Sequence, residues 1–224
     1  EKRNRPFSSG SLPLHLGCAF AAVLSVLGLL SALLVNPIFF ICGLSYLVLT
    51  LLYSNFFKQL LLADIVVLTT LYTLRIAAGV AAINFSISLW IICFSFFTFV
   101  ALSVIKRISE LRRLDTRSKR RAYLPHDIRT LTPMAAGSIC SAVLTLMLYA
   151  GDENSVVYYK EPALLLLLCP LLFFLFTRLL LLAERGKMNY DPVKFVLHDK
   201  LSYLLGGLGF LIYLAASAGV FKCL

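Results

Sequence analysis

Charge is sparse in this chain, and acidic charge is sparser still. Only 14% of its 224 residues are charged, with 11 Asp and Glu against 21 Lys and Arg. With 60% hydrophobic residues and a mean hydropathy of +0.88, that excludes a single soluble domain of this size. Cysteine occurs as six isolated residues, Cys18, Cys42, Cys93, Cys140, Cys169 and Cys223, with no C-x-x-C pair. The spacing excludes a zinc ribbon or a dithiol motif, and five of the six lie in apolar segments as small hydrophobes. There is no nucleophile elbow, Walker loop, dinucleotide fingerprint or HExxH motif, so the chemistry those motifs carry has no foothold here. The basic stretch also lacks the interleaved aromatics that stack bases, so the net charge of +10 does not imply a nucleic-acid partner.

What the chain has in abundance is apolar length. Seven segments stand out: Leu12–Val35, Ile38–Tyr53, Leu60–Val80, Ile87–Ile105, Leu131–Ala150, Ala163–Leu182 and Leu201–Val220. Segments of about 20 apolar residues span a hydrocarbon core about 30 Å thick, and Ile38–Tyr53 needs its polar flanks to complete the span. Backbone in lipid must satisfy its own hydrogen bonds, and no alternating barrel pattern is present. The expected fold is an all-α, polytopic membrane bundle of seven transmembrane helices, forming one domain over residues 1–224. Alternate loops, counted from the N-terminal tail, hold 3, 1, 9 and 4 Lys or Arg, whereas the intervening connections and the C-terminus hold 0, 0, 1 and 1. The excess of cations marks those loops and the N-terminus as cytoplasmic and puts Leu224 across the membrane.

Ionisable residues inside or beside the spans are the candidate site residues. Asp64 and Arg75 are 11 residues apart, which puts them within about 20° of one helix face. Charges at that depth either line a polar cavity or anchor a neighbouring helix. Tyr53 and Lys58 occupy the turn before that helix and read either as interfacial residues or as the rim of a phosphate site. Lys106, Glu110 and Arg113 repeat at i, i+4 and i+7, with Arg107 beside them. Such a ladder suits a phosphate held by convergent donors, with Glu110 orienting its neighbours; it also fits a topogenic stop signal. The Arg117–Arg121 run reads as solvated or bound to anionic headgroups. Arg178 and Arg185, seven residues apart, share a face. Asp191-Pro192 has the form of a helix N-cap followed by proline at the first helical position. Asp199 can pair with a neighbouring cation or face the site. His126 and His198 have no partner at metal-ligand spacing.

Taken together, several of these stretches resemble a known family. Lys2-Arg3-Asn4-Arg5-Pro6-Phe7-Ser8-Ser9-Gly10 is similar to the K-x-x-R-P-x-x-S-G stretch that follows the first Asp-rich motif of the UbiA superfamily of intramembrane prenyltransferases. Residues 53–79 (YSNFFKQLLLADIVVLTTLYTLRIAAG) resemble the pattern of one branch. That branch contains polyprenyl-phosphate phosphoribosyltransferases and bacterial fusions of haloacid-dehalogenase-like and UbiA domains. Lys106-Arg107…Glu110-Leu111, the stretch Tyr123–Asp127 and Arg185-Gly186-Lys187-Met188…Asp191-Pro192 resemble the same branch. The resemblance implies nine helices and Mg²⁺ held by Asp-rich motifs in the intact domain. The first motif would then lie upstream of Glu1, the chain would be a C-terminal fragment inactive alone, and no metal ligands are expected within it. It implies a transferase in a bacterial inner membrane acting on a polyprenyl phosphate or diphosphate, with a small polar acceptor or a phosphoribosyl donor as partner. Asp64, Lys106 and Glu110 would belong to the catalytic centre. Lys2, Arg5, Tyr53, Lys58, Arg75, Arg107, Arg178 and Arg185 would bind substrate phosphate. The second Asp-rich motif is replaced by the Lys106–Glu110 cluster, which favours a phosphoribosyl-type reaction. A transporter, or an inactive lipid-binding scaffold, is the rival reading.

Overall fold

The computed structural model describes residues 13–84, 88–113, 123–152, 155–188 and 191–218. Among the described residues nine α-helices follow one another: α1 (Leu14–Val35), α2 (Pro37–Asn55), α3 (Ala63–Ala82), α4 (Leu89–Arg113), α5 (Ile128–Ala150), α6 (Ser155–Tyr158), α7 (Leu168–Glu184), α8 (Pro192–Val196) and α9 (Lys200–Ala218). Seven helical stretches among the described residues are long and apolar enough to cross a membrane. They coincide with the seven expected segments, and the fold is an all-α polytopic bundle.

The departures from the expected boundaries have local causes. α3 starts at Ala63 rather than Leu60 because the chain first makes a 3₁₀ turn over Phe57–Gln59 and then bends at Leu62, whose φ is +62°. The sixth span begins as a 3₁₀ run over Pro162–Leu167. Pro170 supplies no N–H to bond the Leu166 carbonyl, which weakens the α-helical ladder just where the tighter turns end. α4 runs eight residues past its apolar part to Arg113, as its continuous charged ladder predicts.

Turn chemistry fixes the connections. The Asn36 side chain accepts from Phe39 N–H at 2.7 Å and caps α2, with Pro37 at its first position. The same side chain donates to the Ala81 carbonyl at 2.6 Å, so the first two hairpin turns are tied together at one end of the bundle. α7 ends in a Schellman motif: Gly186 N–H reaches the Ala183 carbonyl at 3.1 Å and Lys187 N–H the Leu182 carbonyl at 3.0 Å. Gly186 has φ +65°, a conformation glycine adopts without steric cost, and it turns the chain toward Met188, which is fully buried.

The protein core lies between α3, α4, α5 and α7, where Ile65, Val104, Ile105, Ile108, Leu131, Ala135, Ile139, Leu179 and Ala183 are excluded from the surface. α4 packs most extensively on α5. Small residues on both helices, among them Ala101, Ser103, Ala135, Ser138 and Ala142, let their backbones approach closely, the usual basis of helix association in lipid. α1 and α2 bury almost nothing and present leucine, valine and phenylalanine outward, as helices facing hydrocarbon should.

Candidate functional site

The central residue of the site is Arg107, a buried arginine on the polar extension of α4. Its side chain is 2% exposed. Its Nε lies 2.7 Å from the carboxylate of Asp64, which is 0% exposed, and its Nη1 lies 2.5 Å from Glu110 Oε2 one helical turn onward. A guanidinium can serve two carboxylates at once because its donors form a planar fork. Asp64 occupies the first turn of α3, where the helix dipole favours a negative charge. Lys106, beside Arg107 but about 100° around the helix, reaches instead to Asp191, the N-cap of α8. Asp191 also accepts from Val193 N–H at 3.3 Å, so the capping role expected of it is real and a second role is added. Tyr53 at the end of α2 lies within electrostatic reach of Arg107, Asp64, Lys106 and Glu110. Four helices thus converge on one end of the bundle.

Tyr123 locks this arrangement. Its hydroxyl donates to Asp64 Oδ1 at 2.6 Å and accepts from Leu62 N–H at 2.9 Å. Leu62 is the non-glycine residue held at φ +62°, and such conformations persist only where surrounding contacts over-determine them. Burial, and then the hydrogen bond to Asp64, push the Tyr123 hydroxyl well above its ordinary range, so it stays a neutral donor. Tyr123→Phe removes both bonds and leaves an oxygen of the fully buried Asp64 without its donor. The variant is expected to lose about 1–3 kcal/mol. Thermal unfolding in detergent checks this, and an unchanged midpoint would show that the bridge contributes nothing.

The remaining candidates divide clearly. The structure brings Asp64, Lys106, Arg107 and Glu110 together around Tyr53, but gives them different partners from those the spacing suggested. Glu110 receives Arg107 rather than acting only through the i, i+4 ladder, and Arg107 sits inside the protein rather than on a phosphate-facing rim. Arg75 does not join Asp64 in a common cavity. Its guanidinium hydrogen-bonds the Tyr46 hydroxyl and lies over the Tyr46 and Tyr72 rings, 5.0 and 5.4 Å from their centroids. A shared helix face fixes direction, not depth: 11 residues correspond to about 16 Å along the axis. Arg178 forms a two-pronged pair with Asp199 at 2.7 and 3.0 Å, and Asp199 also accepts from Ser202. These hydrogen bonds, Arg178 first, hold the Asp199 carboxyl well below its ordinary range. Arg185 is exposed at the C-cap of α7, away from Arg178's pairing, and Lys58 is exposed on the 3₁₀ turn. Lys2, Arg5 and the Arg117–Arg121 run lie outside the described residues.

Tyr123, Asp191 and Tyr46 were not singled out as site residues by charge and periodicity. Asp191 carried a signal, a carboxylate in a basic loop, that its capping role masked. The phenols carry no charge, and Tyr123 entered only through the family resemblance of the Tyr123–Asp127 stretch.

The described residues do not form a magnesium site. Asp64, Glu110, Asp191 and Asp199 are each bound to a cationic side chain, and no group of three His, Cys, Asp or Glu able to hold a metal occurs among the described residues.

Comparison with known proteins adds to this geometry. The model of the family described as "UbiA prenyltransferase family" matches residues 1–195. The chain is 31% identical to "Uncharacterized protein y4nM" of Sinorhizobium fredii over 212 residues, covering 92% of this chain and 41% of that protein. It is also 31% identical to "Nodulation protein NoeC" of Azorhizobium caulinodans over 224 residues, covering 95% of this chain and 72% of that protein. The chain thus spans about two fifths of the length of the first relative and nearly three quarters of the second.

Proposed function

From the premise that the chain belongs to the UbiA prenyltransferase family, we propose that the intact protein is a membrane transferase whose anionic lipid substrate docks at the Lys106–Arg107 end of the bundle. The substrate is a polyprenyl phosphate or diphosphate and the co-substrate is small and polar. The excess of Lys and Arg on alternate loops supports a cytoplasmic location for this end. One observation carries the reading: a buried arginine held by two carboxylates, beside a partly exposed lysine, at one end of an apolar bundle.

The residues divide the work by exposure. Lys106 is 30% exposed and can exchange Asp191 for a phosphate oxygen. Arg107 is too deeply enclosed to contact a headgroup and instead positions Glu110 and Asp64. Glu110, 36% exposed, faces the site and can orient the co-substrate or accept its proton. Tyr53 adds a hydroxyl at the rim. Catalysis then rests on holding two substrates in register and stabilising the departing charge, without a covalent protein intermediate.

Two reactions fit. In prenyl transfer, the allylic carbon–oxygen bond of a polyprenyl diphosphate breaks, diphosphate leaves, and the acceptor's nucleophilic atom bonds to that carbon and loses its proton. In phosphoribosyl transfer, the anomeric carbon–oxygen bond of a phosphoribosyl diphosphate breaks, diphosphate leaves with the bonding electrons, and a polyprenyl phosphate oxygen bonds to that carbon. Cationic Lys106 in place of a second acidic motif favours the phosphoribosyl reaction. Both donor pairs should be incubated with the intact protein and the lipid products weighed by mass spectrometry. A polyprenyl-phosphate product heavier by one phosphoribosyl group identifies the second reaction and a prenylated acceptor the first. Flux of a solute across proteoliposomes without either product would support a transporter instead.

A further inference from the structure

A cavity far from Arg107 has a different chemistry from the charged cluster there. It measures about 450 Å³, and six of the residues that line it are aromatic: Trp90, Phe94, Tyr149, Tyr158, Tyr159 and Tyr213. Trp90 and Arg107 are 17 residues apart on α4, about 25 Å along the axis, so the cavity sits toward the opposite end of the bundle. Three of its rings form a corner. Tyr149 and Tyr159 meet at 80° with centroids 6.2 Å apart, and Tyr159 and Tyr213 at 81° with centroids 5.9 Å apart. Burial, followed by the neighbouring Tyr149 and Tyr213, pushes the Tyr159 hydroxyl up to about 12, so the central ring stays neutral.

An acidic side chain stands beside the cavity. The Trp90 indole N–H donates to the Asp152 carboxylate, and the charge of Asp152 reaches Tyr149. None of the described residues that line it is a lysine or arginine. Aromatic faces are negative and attract cations, and a carboxylate at the rim adds to that attraction. A hydrocarbon would gain nothing from the carboxylate, and a phosphate or sulfate would be repelled by it. Tryptophan and tyrosine at this level of a membrane protein also lie where lipid headgroups lie.

We propose that this cavity is a binding site for an organic cation, a quaternary ammonium group enclosed by the tyrosine corner and Trp90 and paired at its rim with Asp152. The group is either a free small cation or the headgroup of a zwitterionic lipid. The proposal is independent of the transferase reading, because it uses none of the residues around Arg107.

Trp90 is the one tryptophan of this chain, so the difference in emission between the intact protein and its Trp90→Phe variant reports on this cavity. The intact protein in detergent should be titrated with choline and, separately, with 3,3-dimethylbutan-1-ol, the uncharged molecule of the same shape. Choline is expected to change Trp90 emission saturably, while the alcohol at equal concentration leaves it unchanged. Asp152→Asn preserves the shape and the hydrogen-bond acceptor but removes the charge, and is expected to weaken choline binding about tenfold; Tyr159→Leu should do the same. In nanodiscs, phosphatidylcholine should saturate the signal if the occupant is a lipid headgroup. A choline response that persists there, as in phosphatidylglycerol, assigns the site to a free cation. An alcohol response equal to that of choline, no response to choline, or an affinity indifferent to Asp152→Asn would overturn the proposal.

Discussion

Arg107→Ala is expected to cost about 3–5 kcal/mol of stability, the largest loss of any single substitution at this site. The pair it breaks is among the most enclosed in the protein, with Arg107 at 2% and Asp64 at 0% exposure. Removing the arginine leaves Asp64 inside the protein with a tyrosine hydroxyl but no cation. Either the carboxylate ionises uncompensated or it takes up a proton, and both alternatives lie above the paired state. Glu110 is 36% exposed, so water screens its charge when Arg107 is gone, and the loss comes chiefly from Asp64. The double variant Arg107→Met with Asp64→Asn should therefore recover much of what the single one loses, because replacing both partners removes the stranded charge. Reversible unfolding in detergent, followed by helical circular dichroism, measures all three. If the single and double variants lose the same amount, the pair is not coupled and the hub assigned to Arg107 does not exist.

That pair also marks the boundary of what the sequence discloses. The spans were legible because hydrocarbon imposes length and composition on every helix that crosses it, one segment at a time. The polar extension of α4 and the Asp191 cap were legible for the same reason: each is a local pattern. Pairings between helices are another matter. Asp64 shares a helix face with Arg75, yet its cation is Arg107 on the next helix, and Arg75 turns to Tyr46. Lys106 could have used Glu110 four residues on, and instead takes Asp191, 85 residues away. Helical periodicity states which way a side chain points but not which helix stands opposite or at what depth. In a bundle with few charges, each ionised group takes the partner that tertiary packing brings to its level. Tyr123 shows the same limit from the other side: an uncharged residue at the edge of a basic loop, its importance lies wholly in bridging Leu62 and Asp64.

Lys106 separates function from stability, because the ion pair it makes with Asp191 is about one-third exposed on each side. Lys106→Ala should therefore change stability by less than about 1 kcal/mol. If Lys106 is the cation that meets the phosphate, the same variant should lower turnover by about 10²–10³-fold, the loss typical of removing one preorganised stabiliser of developing negative charge. Lys106→Arg keeps the charge but not the reach, and should recover only part of the activity. Asp191→Asn tests the same exchange in the opposite direction. Asparagine still caps α8 but no longer competes for the ammonium, so inorganic diphosphate, a product of both candidate reactions, should inhibit this variant at lower concentration than the native protein. Turnover is followed by mass spectrometry of the lipid product and stability by unfolding in detergent. A Lys106→Ala protein that is folded and fully active would remove the headgroup from this end of the bundle. If its inhibition by diphosphate were also indifferent to Asp191→Asn, the Lys106–Asp191 pair would be a tether between α4 and α8 and nothing more.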